Sequence, residues 1–284
     1  MTEFTLDELH SIELEILKNV AAFCENNGIR YYLCGGTLLG CIRHNGFIPW
    51  DDDIDITMPR PDYIKFIETF NKTDNIYKVK SPKTESKWYG AHARVEDTRT
   101  IIDDDLFGYK DEGVFIDVFP IDGAPADERE RKHFWFINNT LMRIYAASQL
   151  RFTVSHYYAD KPVCFSLLRT GIRTMVKFLS IPAARLIGHF FNLIQIVEAR
   201  ASKYDVDKTE YIGCSTCPIC GYSECIKGKP FLKMKKRLFE GEFFSTPDDY
   251  EEYLNNLYGD YMKLPPKDKQ VAHHSFAAYW KNKR

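Results

Sequence analysis

The stretch Phe47-Ile48-Pro49-Trp50-Asp51-Asp52-Asp53-Ile54-Asp55-Ile56-Thr57-Met58 puts four aspartates in five positions directly ahead of an apolar, β-branched run. Asn45, Gly46 and Pro49 mark a turn before it, and Pro59 and Pro61 close it. Asp53 to Met58 reads as a strand, with Ile54 and Ile56 on one face and Asp53 and Asp55 on the other. Residues two apart in a strand leave the same face with Cα atoms ~6.5–7 Å apart, so both carboxylates reach one divalent ion or a pair of ions. Like charges at this density are unfavourable in a folded chain without compensating cations. Magnesium, which takes carboxylate and phosphate oxygens, supplies that compensation, with Asp51 and Asp52 as supporting loop residues. A bare Asp-x-Asp is more often a solvated acidic turn; here the position between Trp50 and a strand core argues for metal.

On the N-terminal side, Thr5-Leu6-Asp7-Glu8 reads as a capping box, and Leu9, Ile12, Ile16, Val20 and Phe23 recur at helical spacing up to Gly28. Tyr31 to Cys34 reads as a short strand that runs into Gly35-Gly36-Thr37 and a short helix, Leu38 to His44. On the other side the pattern predicts a helix over Asp62 to Phe70 and strands with loops over 75–110. A further strand covers Val114 to Phe119, broken at Pro120 and followed by an Asp122-Gly123 turn. After about residue 126 the character becomes helical, with Arg129 to Gln149 and Phe165 to Tyr204 as the long stretches. Strands first and helices later give an α+β fold. A mixed-sheet catalytic core occupies residues 1–125, and a mainly helical region over 126–284 packs on it.

In Gly113 to Phe119, Asp117 stands amid six uncharged residues. A buried carboxylate needs a cation or donor nearby, which makes Asp117 a third metal ligand or a general base for an incoming hydroxyl, with a purely structural aspartate as the alternative. Asp122 is a weaker candidate of the same kind. Gly35-Gly36-Thr37 follows a strand and opens a helix, where amides and absent side chains favour phosphate. Arg43 and His44 could meet phosphate oxygens or simply complement the helix dipole. Cys214, Cys217, Cys220 and Cys225 fall within twelve residues. They read either as a structural zinc site or as small core and loop thiols, because one tetrahedral metal would make so short a loop tight. Cys24, Cys34, Cys41 and Cys164 are scattered and structural.

The 284-residue chain is 44% hydrophobic and 27% charged, the ordinary range for a globular protein. A net charge of -2 argues against a general nucleic-acid binder. Neither a signal peptide nor a run of ~18 apolar residues is present, so the protein is expected in the cytoplasm with its eight cysteines reduced. Arg169, Arg173 and Lys177 form a basic stripe on an apolar helix, with Arg185 beyond it. Such a helix lies either on an anionic membrane surface or with a solvated face on the protein.

The stretch Gly35-Gly36-Thr37-Leu38-Leu39-Gly40, then Arg43-His44, then Gly46 to Asp55 resembles the LicD family, itself similar to the nucleotidyltransferase superfamily and to fukutin-type proteins. The resemblance continues in Phe115 to Asp122, in Phe239-Glu240-Gly241, in Tyr258 to Met262 and in Leu264-Pro265-Pro266, while 126–235 carries little of it. It implies a nucleotidyltransferase-like core that moves phosphocholine, or a related alcohol phosphate, from a donor such as CDP-choline. The acceptor would be a glycan hydroxyl of teichoic acid, lipopolysaccharide or a similar surface polymer, lipid-linked in some cases, with the enzyme at the inner face of the membrane. Asp53 and Asp55 would hold magnesium against the donor diphosphate, Asp117 would complete the acidic triad, and Gly35, Gly36 and Thr37 would cradle phosphate. Trp50, Trp88 and Tyr89 are available to cage a choline ammonium. The zinc-binding insert of fukutin-related proteins bears on the cysteine run. The rival readings are a nucleotidyltransferase that moves NMP and a zinc-stabilised module without catalysis; against the latter, all three triad aspartates are present.

Overall fold

The computed structural model describes residues 2–73, 75–85, 88, 90–103, 112–149, 180–271 and 277–281. Helix α1 (Leu6–Asn27) begins as its sequence predicts: the Thr5 amide donates to Glu8 Oε2 at 2.8 Å and the Glu8 amide returns to Thr5 Oγ1 at 3.3 Å. Gly28, at φ 60°, ends it in the left-handed conformation that favours glycine. Leu9, Ile12, Ile16, Leu17 and Val20 bury one stripe of α1 in the main core, at roughly 1.5–3 kcal/mol for each fully buried side chain.

The chain continues through β1 (Tyr32–Leu33), α2 (Gly35–His44), β2 (Asp55–Pro59), α3 (Arg60–Thr69), β3 (Tyr77–Lys80), β4 (Ala93–Asp97), β5 (Thr100–Asp103) and β6 (Phe115–Gly123). Then come α4 (Glu128–Gln149), α5 (Leu193–Ala201), β7 (Tyr211–Gly213), β8 (Ile226–Lys227), α6 (Gly228–Leu232), β9 (Met234–Phe239), β10 (Glu242–Pro247), α7 (Glu251–Tyr258) and β11 (Ala277–Trp280). The main sheet runs β1-β2-β6-β4-β3. Its two central strands, β2 and β6, are parallel, and the other pairs are antiparallel. Ile54, Ile56, Ile116 and Val118 are buried completely, so the middle of the sheet is anchored in the core.

Four expectations need correcting. The strand begins at Asp55, not Asp53, leaving Asp51 to Asp53 in the preceding loop. Pro120 does not break β6, because the ladder to β4 ends at Val118 while β2 still runs alongside, so the missing amide falls where one neighbour has stopped. Asp122 and Gly123 pair with Gly213 and Ile212 of β7 rather than turning. The second half is also less helical than its composition suggests. Among the described residues it holds five strands, of which β7 and β8 extend the main sheet, β9 and β10 form a hairpin, and β11 pairs with β5. Strands of two to six residues are too short to leave a readable alternation. Residues 180–190 and α5 are helical; residues 150–179, with Cys164, Arg169, Arg173 and Lys177, lie outside the described residues.

Arg60 opens α3 and grips Asp122 through two hydrogen bonds of 2.7 and 2.6 Å, tying α3 to the far end of β6. Both partners are buried. Replacing Asp122 with Ala leaves an uncompensated guanidinium in the interior, and the expected loss is ~3–5 kcal/mol in urea unfolding; a loss below ~1 kcal/mol would show that Glu198 or water replaces the carboxylate.

Candidate active site

Asp55 opens β2, and the parallel register sets it opposite Asp117 of β6. Alternate residues of the two strands, Asp55 and Thr57 with Asp117, Phe119 and Ile121, face a cavity of about 370 Å³. Asp51 and Asp53 reach the same cavity from the loop before β2, so its floor carries four carboxylates. Oxygens of Asp51, Asp52 and Asp53 lie within 4.8 Å of one another, the single such group of three potential metal-binding side chains among the described residues. Asp51 thus belongs to the floor rather than only supporting it, while Asp52 does not line the cavity.

The floor is held from below. The Asp55 amide donates to Thr37 Oγ1 at 2.8 Å, and the Cys34 amide donates to the Asp55 carbonyl at 3.1 Å. Thr37 Oγ1 thus accepts a hydrogen bond from the strand and keeps its O–H free to donate. Gly35 and Gly36 line the cavity, and their lack of side chains lets the acids close in. A Cβ on Gly35 would lie 2.8 Å from Asp55 Oδ2, and one on Gly36 would lie 2.5 Å from Asp51 Oδ2. Gly35 also has φ +55°, which disfavours any L side chain. Its amide donates to Tyr253 Oη at 3.1 Å.

The carboxylates differ sharply in their surroundings. The Asp55 carboxylate makes no hydrogen bond or ion pair with a described residue, and burial, then Asp53 and Asp117, push its pKa well above the ordinary range. Burial also works against ionised Asp117, but Arg94 and His92 outweigh it and hold that carboxyl below the usual carboxylate values. Arg94 Nε lies 2.9 Å from Asp117 Oδ1, and His92 Nε2 lies 3.4 Å from the same oxygen. An unpartnered acid among three others, all with hard oxygen donors, fits a magnesium ion.

Cys214, Cys217, Ile219, Cys220, Glu224, Tyr253, Tyr258 and Trp50 also line the cavity. Cys225 turns away into an apolar cluster with Ala124, Phe134 and Trp135. No three of the four cysteine sulfurs come within 4.8 Å of one another, so the residues expected to share zinc do not converge. The Cys220 thiol donates to Cys217 and, with the Cys220 and Ile219 amides, draws the Cys217 thiol down to about 6. Burial raises Glu224 to about 8, and Cys217 adds to that shift.

Arg43 and His44 do not line the cavity. Arg43 donates to the Tyr261 carbonyl at 2.7 Å and to His44 Nε2 at 3.0 Å, and His44 meets Trp50 edge-on at 6.5 Å. They brace Trp50 and the tail rather than the carboxylates. Trp88 is buried and gives its indole N–H to the His92 carbonyl, while Tyr89 lies outside the described residues. Sequence reasoning missed Arg94, His92, Glu224, Tyr253 and Tyr258. For Arg94 the alternation in Ala93-Arg94-Val95-Glu96 was a usable signal, and for Tyr258 the family-like stretch Tyr258 to Met262; for His92, Glu224 and Tyr253 there was none.

Residues 28–157 match the family model described as LicD/FKTN/FKRP, nucleotidyltransferase domain. The chain is similar over its whole length to the lipopolysaccharide cholinephosphotransferase LicD of Haemophilus influenzae, with 34% identity covering 98% of this chain and 99% of that one. The chain belongs to the LicD/FKTN/FKRP family. It is also similar to the mouse and human ribitol 5-phosphate transferase FKRP, 48% identical over 42 residues that make up 15% of this chain and 8% of theirs. Members of the family are thus named for the transfer of two alcohol phosphates, and this chain is an enzyme of the phosphotransferase class. The reading as a non-catalytic module falls away.

The acids predict how stability depends on pH. Glu224 and Asp55 are raised in the folded state, so their contribution is complete below the unfolded carboxylate pKa and is lost as pH rises through the folded value. With chelator present, the melting temperature should fall between about pH 5 and pH 8, and Glu224→Gln should flatten that slope. A slope of the same size in Glu224→Gln would remove Glu224 as its source.

Proposed function

We propose that this enzyme catalyses the magnesium-dependent transfer of phosphocholine, or a related alcohol phosphate, from a CDP-activated donor such as CDP-choline to a hydroxyl of a cell-surface glycan. The observation that carries this reading is the cavity floor, where Asp51, Asp53, Asp55 and Asp117 face one space and the Asp55 carboxylate has no partner among the described residues. Magnesium held by Asp53 and Asp55, with Asp51 beside them, would neutralise and orient the donor diphosphate, which supplies most of the catalysis in phosphoryl transfer. Asp117 stays ionised and keeps Oδ2 without a hydrogen bond from a described residue, so it can complete the ligand set or accept the hydrogen bond of the incoming hydroxyl.

The Gly35 amide is committed to Tyr253, which leaves phosphate contact to the Gly36 and Thr37 amides at the start of α2. Trp50, Tyr253 and Tyr258 also line the cavity and would offer ring faces to a quaternary ammonium. The name of the Haemophilus relative favours lipopolysaccharide over teichoic acid as the acceptor. A lipid-linked acceptor would bring the enzyme to the inner face of the membrane by peripheral contact. No helix among the described residues is long and apolar enough to cross a membrane, and Leu186, Phe190 and Phe191 stand exposed.

The test is turnover of CDP-choline, CDP-ribitol and CDP-glycerol with a lipopolysaccharide acceptor, with magnesium or with chelator. The expected outcome is CMP release that needs magnesium and prefers choline, lost in Asp55→Asn while the melting temperature is kept. Pyrophosphate as product would mean NMP transfer instead, and equal use of the three donors would sink the choline assignment.

A further inference from the structure

Asp117 sits in the middle of a row of side chains that crosses three strands. The parallel register places Asp55 on one side of it, and the antiparallel register of β4 places Arg94 directly opposite on the other. Arg94 is fixed on three counts. Its guanidinium lies 3.5 Å over the Phe115 ring, its Nη1 is 3.4 Å from Glu112 Oε2, and its Nε is 2.9 Å from Asp117 Oδ1. Both charged side chains are largely buried, at 14% and 10% exposure, so the pair is little screened by water. His92 approaches the same Oδ1 and is itself packed against the Phe119 ring at 5.0 Å. The carboxylate is therefore held by one oxygen and cannot rotate without breaking both contacts.

We propose that Arg94 is the positioning residue of this site: it locks Asp117 through Oδ1 so that Oδ2 is presented to the cation and substrate space beside Asp55. The inference rests on the metal reading above. Arg94 does not line the cavity, so it acts through Asp117 and not on the substrate. The rigid fork explains the choice of arginine, because Nε and Nη1 serve Asp117 and Glu112 together, whereas a lysine ammonium would serve as a single point charge. Arg94 gives Asp117 a fixed protein cation at 2.9 Å, whereas the Asp55 carboxylate makes no hydrogen bond or ion pair with a described residue.

The experiment measures Mn²⁺ affinity by calorimetry, together with kcat and KM for the CDP-alcohol donor, in Arg94→Met, Arg94→Lys, Asp117→Asn and the Arg94→Met/Asp117→Asn double variant. Losing the outer partner of a metal ligand typically costs 10- to 100-fold, so Arg94→Met should weaken Mn²⁺ binding or kcat by about that much, with donor KM changed far less. Arg94→Lys should recover part of the loss. On the Asp117→Asn background, Arg94→Met should add nothing to the loss of Mn²⁺ affinity. Wild-type Mn²⁺ affinity and kcat in a folded Arg94→Met protein would overturn the inference, as would a full additional loss in the double variant. If Arg94→Met does not fold, Arg94→Lys decides: a weakened site supports the inference, and a wild-type site overturns it. A wild-type enzyme that turns over in chelator removes the metal reading instead, and kcat in Arg94→Met then decides on Arg94 alone.

Discussion

Parallel pairing of β2 with β6 sets the Asp55 and Asp117 carboxylates side by side, and two acids so placed repel each other. Much of the surrounding structure answers that repulsion. Arg94 compensates one of the two from the neighbouring strand, and Thr37 and Cys34 fix the backbone of the other. Gly35 and Gly36 make room where any Cβ would press on a carboxylate. The opposite face, with Ile54, Ile56, Ile116 and Val118 fully buried, keeps the strands from parting. At the far end of the same strands, the buried Arg60–Asp122 pair ties α3 to β6.

The result is a cavity lined by two unlike sets of residues. One set is the floor of acids, Asp51, Asp53, Asp55 and Asp117. The other set comprises thiols, aromatic rings and Glu224, with burial raising Glu224 to about 8 and the Cys220 thiol drawing Cys217 down to about 6. Relatives named for cholinephosphate and for ribitol 5-phosphate transfer belong to one family, which agrees with a shared acidic floor and with an alcohol chosen elsewhere in the cavity. Trp50, Tyr253 and Tyr258 are among the residues that line the cavity beside the acids.

Legibility in the sequence followed the range of each interaction. The Thr5–Glu8 capping box and the Gly28 stop act within a few residues, and both stand where their spacing predicts. The acidic run and Asp117 were readable because charge amid apolar neighbours is informative by itself. Pro120 misled because its tolerance depends on where β4 stops, and that is a property of another segment. Cys225 misled in the same way: its spacing from Cys220 suggests a shared ligand set, but Phe134 and Trp135, about ninety residues earlier in the chain, draw it into their cluster.

By itself, the sequence determined that Asp51 to Asp55 form an acidic run, that Asp117 stands as a lone charge amid apolar neighbours, and that the motifs around them resemble those of phosphotransferases. Each of these follows from local composition, strand alternation or a contiguous motif. Only the tertiary structure decided which charges are compensated and which are not. Arg94 is twenty-three residues from Asp117 in the chain and meets it only through strand register. Glu224, Tyr253 and Tyr258 join the cavity only because β7 extends the sheet and α7 folds back to it. Charge compensation depends on distances of a few ångströms between segments far apart in sequence, and no local pattern encodes those distances.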